Sequence, residues 1–206
     1  RGAPMAFFGT GRVFTTADKT TAAQQRIYGI IDTSLLTGDD SQAKTAVTMG
    51  NLVNVTNFNI FGDKSVTGIP DDSSLVPKDT NTFDALSAVF DSPKVAGWYR
   101  NLQIDGQNPS ERVVSAQALL GGLLLTTTYV PGTSICTGLG NAYLVANNYK
   151  TGTADPGAAI FGTGTGGLFL YTGATLSQGV ALENPSAGAV TGLAFTPDGH
   201  RLASWG

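Results

Sequence analysis

Glycine, threonine and asparagine interrupt this chain every few residues, and that spacing leaves room for short strands and turns but hardly any for long helices. Twenty-seven of the 206 residues are glycine. The apolar runs between them carry aromatic and β-branched side chains, the residue types that fit a pleated surface. Residues 5–9 form one such run, closed by Gly9-Thr10-Gly11, and residues 26–32 form a second, with Ile27, Tyr28, Ile30 and Ile31. The polar stretch between them reads as a loop joining two strands. Residues 53–61 alternate, with Val53, Val55, Phe58 and Ile60 separated by Asn and Thr, and predict a half-buried strand with one change of register. Further strands are expected at 112–115, 123–130, 142–147, 167–171, 190–195 and 201–205.

A helical period shows once, where Phe83, Leu86, Val89 and Phe90 fall on one face after a polar Thr-Asn-Thr entry. It lies within 67–92, a stretch containing Pro70 and Pro77 and followed by Pro93, which reads as a surface insertion on one strand connection. Near the other end, Pro197-Asp198-Gly199 has the residues of a tight turn between two strands, and the phrase around it is similar to a hairpin of a WD-type blade. The expected architecture is all-β: a partial or modified β-propeller of short antiparallel four-stranded blades, with one loop insertion carrying a short helix. At the usual blade length, residues 1–206 would supply about three to four blades of a single region. A propeller of so few blades leaves edges exposed, so an upstream segment or a second chain is expected to complete it.

Charge narrows the function classes. Only 13% of residues are charged, the net charge is −3, and the twelve basic residues are scattered. No cationic stripe is available for a phosphate backbone, so nucleic acid is not an expected partner. The longest apolar run, 118–125, is interrupted by Gly121 and Gly122 and is too short to span a bilayer. Low charge with dense Gly, Ser, Thr and Asn suits an extracellular or cell-envelope β-protein.

Five phrases, taken in order, resemble the C-terminal region of the type IV pilus tip-associated adhesin and assembly-factor family. They are Phe8-Gly9-Thr10-Gly11-Arg12, Tyr28-Gly29-Ile30-Ile31-Asp32, Gly97-Trp98-Tyr99-Arg100-Asn101-Leu102 leading to Glu111-Arg112-Val113-Val114, the stretch 126–136 with Pro131 and Cys136, and Tyr143 with 149–152. Ser110 departs from the family, which carries Gly before Glu-Arg. The resemblance implies a non-enzymatic bacterial protein at the cell surface, pilus tip or outer membrane. Its roles would be adhesion and control of pilus assembly and retraction, its partners minor pilins, the pilus tip complex, or a host or abiotic surface. It also implies calcium at the family level, but the family's acidic loop lies upstream of the Gly-Thr-Gly-Arg phrase and is not contained in this chain. A structural subunit of an extracellular filament is the alternative that low charge and open strand edges suit.

Individual residues offer little chemistry. Asp79, Asn81 and Asp84 have the spacing that opens a calcium loop, without its central Gly and closing Glu; the competing reading is a polar cap on the helix at 83–90. Trp98 and Tyr99 are candidates for binding or, alternatively, for packing between blades. His200 is the sole histidine and Cys136 the sole cysteine, too few for a usual zinc site, and no Gly-x-Ser-x-Gly elbow is present. Cys136 is expected as a buried thiol, the alternative being a bond to a segment outside this chain. The glycines from Gly162 to Gly167 formally match a dinucleotide fingerprint, but the residues after them read as a strand, so a turn between strands is expected.

Overall fold

The computed structural model describes residues 4–32, 46–102, 109–132, 140–162, 168–172, 178–182, 192–195 and 201–205, with side chains up to residue 157. In chain order the first elements are β1 (Met5–Gly9), β2 (Arg26–Ile31), β3 (Leu52–Asn54), β4 (Asn59–Ile60), β5 (Val66–Thr67), the helix α1 (Phe83–Val89) and β6 (Gly97–Asn101). They are followed by β7 (Arg112–Val113), β8 (Ala118–Leu120), β9 (Leu123–Val130), β10 (Asn141–Asn148), β11 (Ala158–Gly162), β12 (Leu168–Thr172), β13 (Gln178–Leu182), β14 (Gly192–Phe195) and β15 (Arg201–Trp205). The chain is mostly β with one α-helix among the described residues, as its composition predicts.

The strands sort into four sheets of unequal size. One has the order β1-β2-β6-β3, a second runs β14-β15-β10-β9-β7 with β8 also on β9, a third is the meander β11-β12-β13, and the last is the hairpin β4-β5. This differs from uniform four-stranded antiparallel blades, because β3 pairs parallel to β6, and the described sheets do not close into a ring. Parallel neighbours need a crossover, and here the chain from 55 to 96 makes it. The single strand expected over 53–61 breaks for a local reason: Asn54 Oδ1 accepts from the Thr56 amide at 3.1 Å and its hydroxyl at 2.6 Å. That side-chain turn competes with the ladder and ends β3. Strands also occupy 158–162 and 168–172 as an antiparallel pair, so the glycines between them join two strands and precede no helix.

The core lies on the inner face of the first sheet. Strand β2 alternates, turning Ile27, Gly29 and Ile31 inward. Ile27 and Ile31 join Val53, Val55, Phe58 and Trp98 in one apolar cluster that also takes in Val113, Leu124 and Val145 from the second sheet. The 67–92 stretch, expected as a surface insertion, seats Val76, Leu86 and Phe90 in this same cluster. Thr82 starts the helix by accepting the Ala85 amide at 3.2 Å, a usual helix N-cap.

Trp98 occupies the middle and has no exposed surface. A Cβ on Gly29 would lie 2.5 Å from its ring, and one on Gly152 would lie 2.3 Å away. Its indole donates to the Tyr149 carbonyl at 3.0 Å, tying the first sheet to the turn after β10. Gly152 also has a φ of 70°, a left-handed conformation that side chains resist. Trp98→Ala should therefore cost about 3–5 kcal/mol in urea denaturation. Gly152→Ala should destabilise as well, through both collision and backbone strain; a wild-type midpoint for either variant would mean the ring is not the packing centre.

Candidate functional site

Alternation along the first sheet divides neighbouring residues between two surfaces. While Trp98 points inward, Tyr99 points outward, in register with Tyr28, which in turn faces Phe8 on β1. Phe8 and Tyr28 stack with centroids 4.9 Å apart, and Tyr28 and Tyr99 are tilted at 6.2 Å. The Arg26 guanidinium carbon lies 5.7 Å from the Tyr99 ring centre, with Nε donating to Asn101 Oδ1 at 2.9 Å. Phe8 remains 47% exposed, and Met49, whose sulfur the Tyr28 hydroxyl approaches at 4.0 Å, is exposed too. The result is an aromatic row with a cation at its side, open to solvent. Tyr, Phe, Met and Arg are the residue types enriched at protein interfaces.

The second feature begins where β1 ends. Arg112, 1% exposed, draws the 10–21 segment onto the body of the chain. Its Nε and Nη2 donate to the Ser110 carbonyl at 3.0 and 2.9 Å, and Nη1 donates to the carbonyls of Arg12 (3.0 Å) and Asp18. Burial pushes its pKa down, while the charges of Asp18 and Tyr129 oppose that shift. Glycines allow the close approach: a Cβ on Gly9 would lie 2.3 Å from Val113, and one on Gly11 would lie 2.4 Å from Arg112.

Beside this clamp is a cavity of about 510 Å³, walled by Gly11, Arg12, Ala17 and Asp18 on one side. Thr21, Ala23, Gln25 and Arg112 complete the wall. Asp18 is buried, and its carboxylate accepts from Arg12 Nε at 2.6 Å and from the Thr15 amide at 2.8 Å. Burial alone would raise its pKa; the hydrogen bonds from Arg12 and Thr15 and the Arg12 charge outweigh this and hold it below the ordinary 3.8.

The residues singled out in the sequence are placed as follows. Trp98 is core, and Tyr99 belongs to the aromatic row. Asp79, Asn81 and Asp84 are exposed. The Asn81 carbonyl accepts the Val66 amide, and the Asp84 carboxylate lies 4.0 Å from Lys64 Nζ, a poor arrangement for a second cation. Asp79 borders a depression of about 400 Å³ whose other walls are Pro77, Thr80, Ala85, Ala88 and Val89, with a single carboxylate. Among the described residues no group of three His, Cys, Asp or Glu is placed to hold a metal, and this set brings two carboxylates and one amide. Cys136, His200 and the Pro197-Asp198-Gly199 turn lie outside the described residues. No described helix is long and apolar enough to cross a membrane. Sequence reasoning missed Asp18 and the aromatic row. The alternation of Tyr28 and Tyr99 with inward residues was the available signal, but their pairing required the strand order.

No protein-family model matches the chain. Among curated proteins it is similar to the type IV pilus biogenesis factor PilY1 homolog of Xylella fastidiosa, 28% identical over 156 residues, covering 75% of this chain and 9% of that protein. The chain thus spans about a tenth of that relative's length. Among solved structures it is similar to the PilY1 C-terminal domain of Pseudomonas aeruginosa, with a TM-score of 0.48 and 18% identity over 100% of this chain and 41% of that one. The family resemblance read from the ordered phrases is borne out by the Xylella relative.

The Asp18 pair has a pH signature. A carboxyl held below its unfolded value stabilises the fold above that value, and the contribution is lost as pH falls through the lowered folded one. Protection of the amides in residues 10–21, taken relative to the intrinsic exchange rate at each pH, should therefore fall as pH drops below 3.8, and Asp18→Asn should remove that step. Arg112→Lys should speed exchange in the same residues at neutral pH and lower stability by about 1–3 kcal/mol, because an ammonium cannot span the same carbonyls.

Proposed function

We propose that this chain acts in the type IV pilus system as a non-enzymatic binding and assembly module at the bacterial cell surface. The supporting observation is the ordered set of phrases together with the 28% identity to a pilus biogenesis factor. On this reading the region forms part of a modified propeller completed by further polypeptide, and it acts through protein contacts in adhesion and in control of pilus assembly and retraction. Its partners are minor pilins or other components of the pilus tip.

The aromatic row of Phe8, Tyr28 and Tyr99 is the surface this reading assigns to a partner. Row residues are stacked on a sheet before any partner arrives, so little side-chain freedom remains to be lost on binding. The adjacent Arg26 and Asn101 supply polar contacts at the margin, an arrangement common to interface hot spots.

Gold-labelled antibody on intact piliated cells tests the location. Label at filament tips or bases is expected; continuous label along the shaft would make the chain a filament subunit instead, and label confined to the cytoplasm would overturn the pilus role. Phe8→Ala and Tyr99→Ala should leave the fold within about 1 kcal/mol of wild type, as outward positions generally do, while reducing surface piliation. Normal piliation in the double variant would remove the aromatic row from the proposal.

A further inference from the structure

We propose that the cavity beside Arg12 is a binding site for a carboxylate presented by a peptide, with Arg12 as the recognising fork. The site stands on its own geometry and does not depend on the pilus reading.

Three observations converge. The cavity, about 510 Å³, is within the size range of small-ligand pockets. Its walls carry Arg12, Arg112 and Asp18, two cations to one anion, in a chain whose net charge is −3. The orientation of Arg12 is also set: buried Asp18 takes its Nε at 2.6 Å, and Asp18 is itself held by the Thr15 amide. The Arg12 terminal nitrogens meet no acceptor among the described residues, and its side chain is 72% exposed. A guanidinium fixed through Nε with both Nη groups available presents two parallel donors, the geometry that matches the two oxygens of a carboxylate.

Arg112 has a different part. Its donors are engaged by backbone carbonyls, so it adds positive charge to the wall without offering a further hydrogen bond. An acidic segment would otherwise approach a negatively charged protein, and a locally positive, walled site is where it would be drawn in. The Asp18 carboxylate offsets one of the two cations, which leaves the wall one net positive charge, and its oxygens are taken up by Arg12 and the Thr15 amide. It therefore acts as a positioning residue and not as a contact.

The test uses the intact ¹⁵N-labelled chain and three capped tripeptides. Acetyl-Gly-Glu-Gly-amide offers a side-chain carboxylate, acetyl-Gly-Gly-Gly acid a terminal one, and acetyl-Gly-Gln-Gly-amide neither. Saturable shifts at the Arg12 Nε–H and the amides of Gly11, Thr21, Ala23 and Gln25 are expected with one or both acids and not with the neutral peptide. The peptide that binds more tightly identifies the source of the carboxylate. Arg12→Lys, which keeps the charge but loses the fork, should weaken binding about tenfold, the size of one charge-assisted hydrogen bond. Ala23→Phe should block the cavity while leaving the Arg12–Asp18 pair and the melting temperature unchanged, which separates loss of binding from loss of fold. The assignment is overturned if neither acid shifts these signals, if the neutral peptide shifts them as well, if both variants bind as wild type, or if inorganic phosphate binds as tightly as the better acid.

Discussion

Trp98 sets the terms for the rest of the molecule. A large ring buried in the centre needs close neighbours without side chains, and Gly29 and Gly152 supply them from earlier and later in the chain. Its indole nitrogen cannot be left without an acceptor in such a place, and the Tyr149 carbonyl provides one. One residue thus fixes β6 against β2 and against the turn after β10. The ring of Phe7, with its centre 6.4 Å away, packs against it from β1. The aromatic row on the outer surface is a consequence: with Trp98 committed inward, Tyr99 must face out.

The phrases that carry the family resemblance prove to be contacts with one another. Gly-Thr-Gly-Arg, at 9–12, lies under Arg112 and Val113 of the Glu-Arg-Val phrase, and Arg112 holds the Arg12 carbonyl. The Tyr-Gly-Ile phrase places Gly29 beneath Trp98 of Gly-Trp-Tyr, and the 149–152 phrase closes over it. At each of these contacts the glycine leaves room that a Cβ would fill, against Val113, Arg112 or the Trp98 ring. These contacts build the interior, whereas Phe8, Tyr28, Tyr99 and Arg12 lie on the outer side.

Much of this was legible in the residues, and the exceptions have physical causes. The limits of β1, β9 and β15 follow from runs closed by glycine, asparagine or proline, and α1 follows from its period and its threonine entry. The parallel partnership of β3 with β6 was not legible, because pairing depends on closing a long crossover and leaves no local trace. For the same reason 67–92 looked like surface: its prolines and acids are exposed, yet Val76, Leu86 and Phe90 are spaced to reach the core. Asp18 was hidden by its setting in a polar loop. Only the arrival of Arg112, more than ninety positions later, buries that loop and turns a solvated acid into the anchor of Arg12.

The position of β6 within its sheet bears on how the molecule is made. It is an inner strand, paired to β2 on one side and β3 on the other, and yet the last of the four in the chain. Before it is in place, β1 and β2 can form only a two-stranded ribbon, marginal in water, with Ile27 and Ile31 uncovered. The sheet therefore waits on distant pairing, which is slow to find because a long loop must close first. A polypeptide threaded through a narrow channel N-terminus first would remain unstructured and pliable for much of its passage, and would harden only after Gly97–Asn101 had emerged.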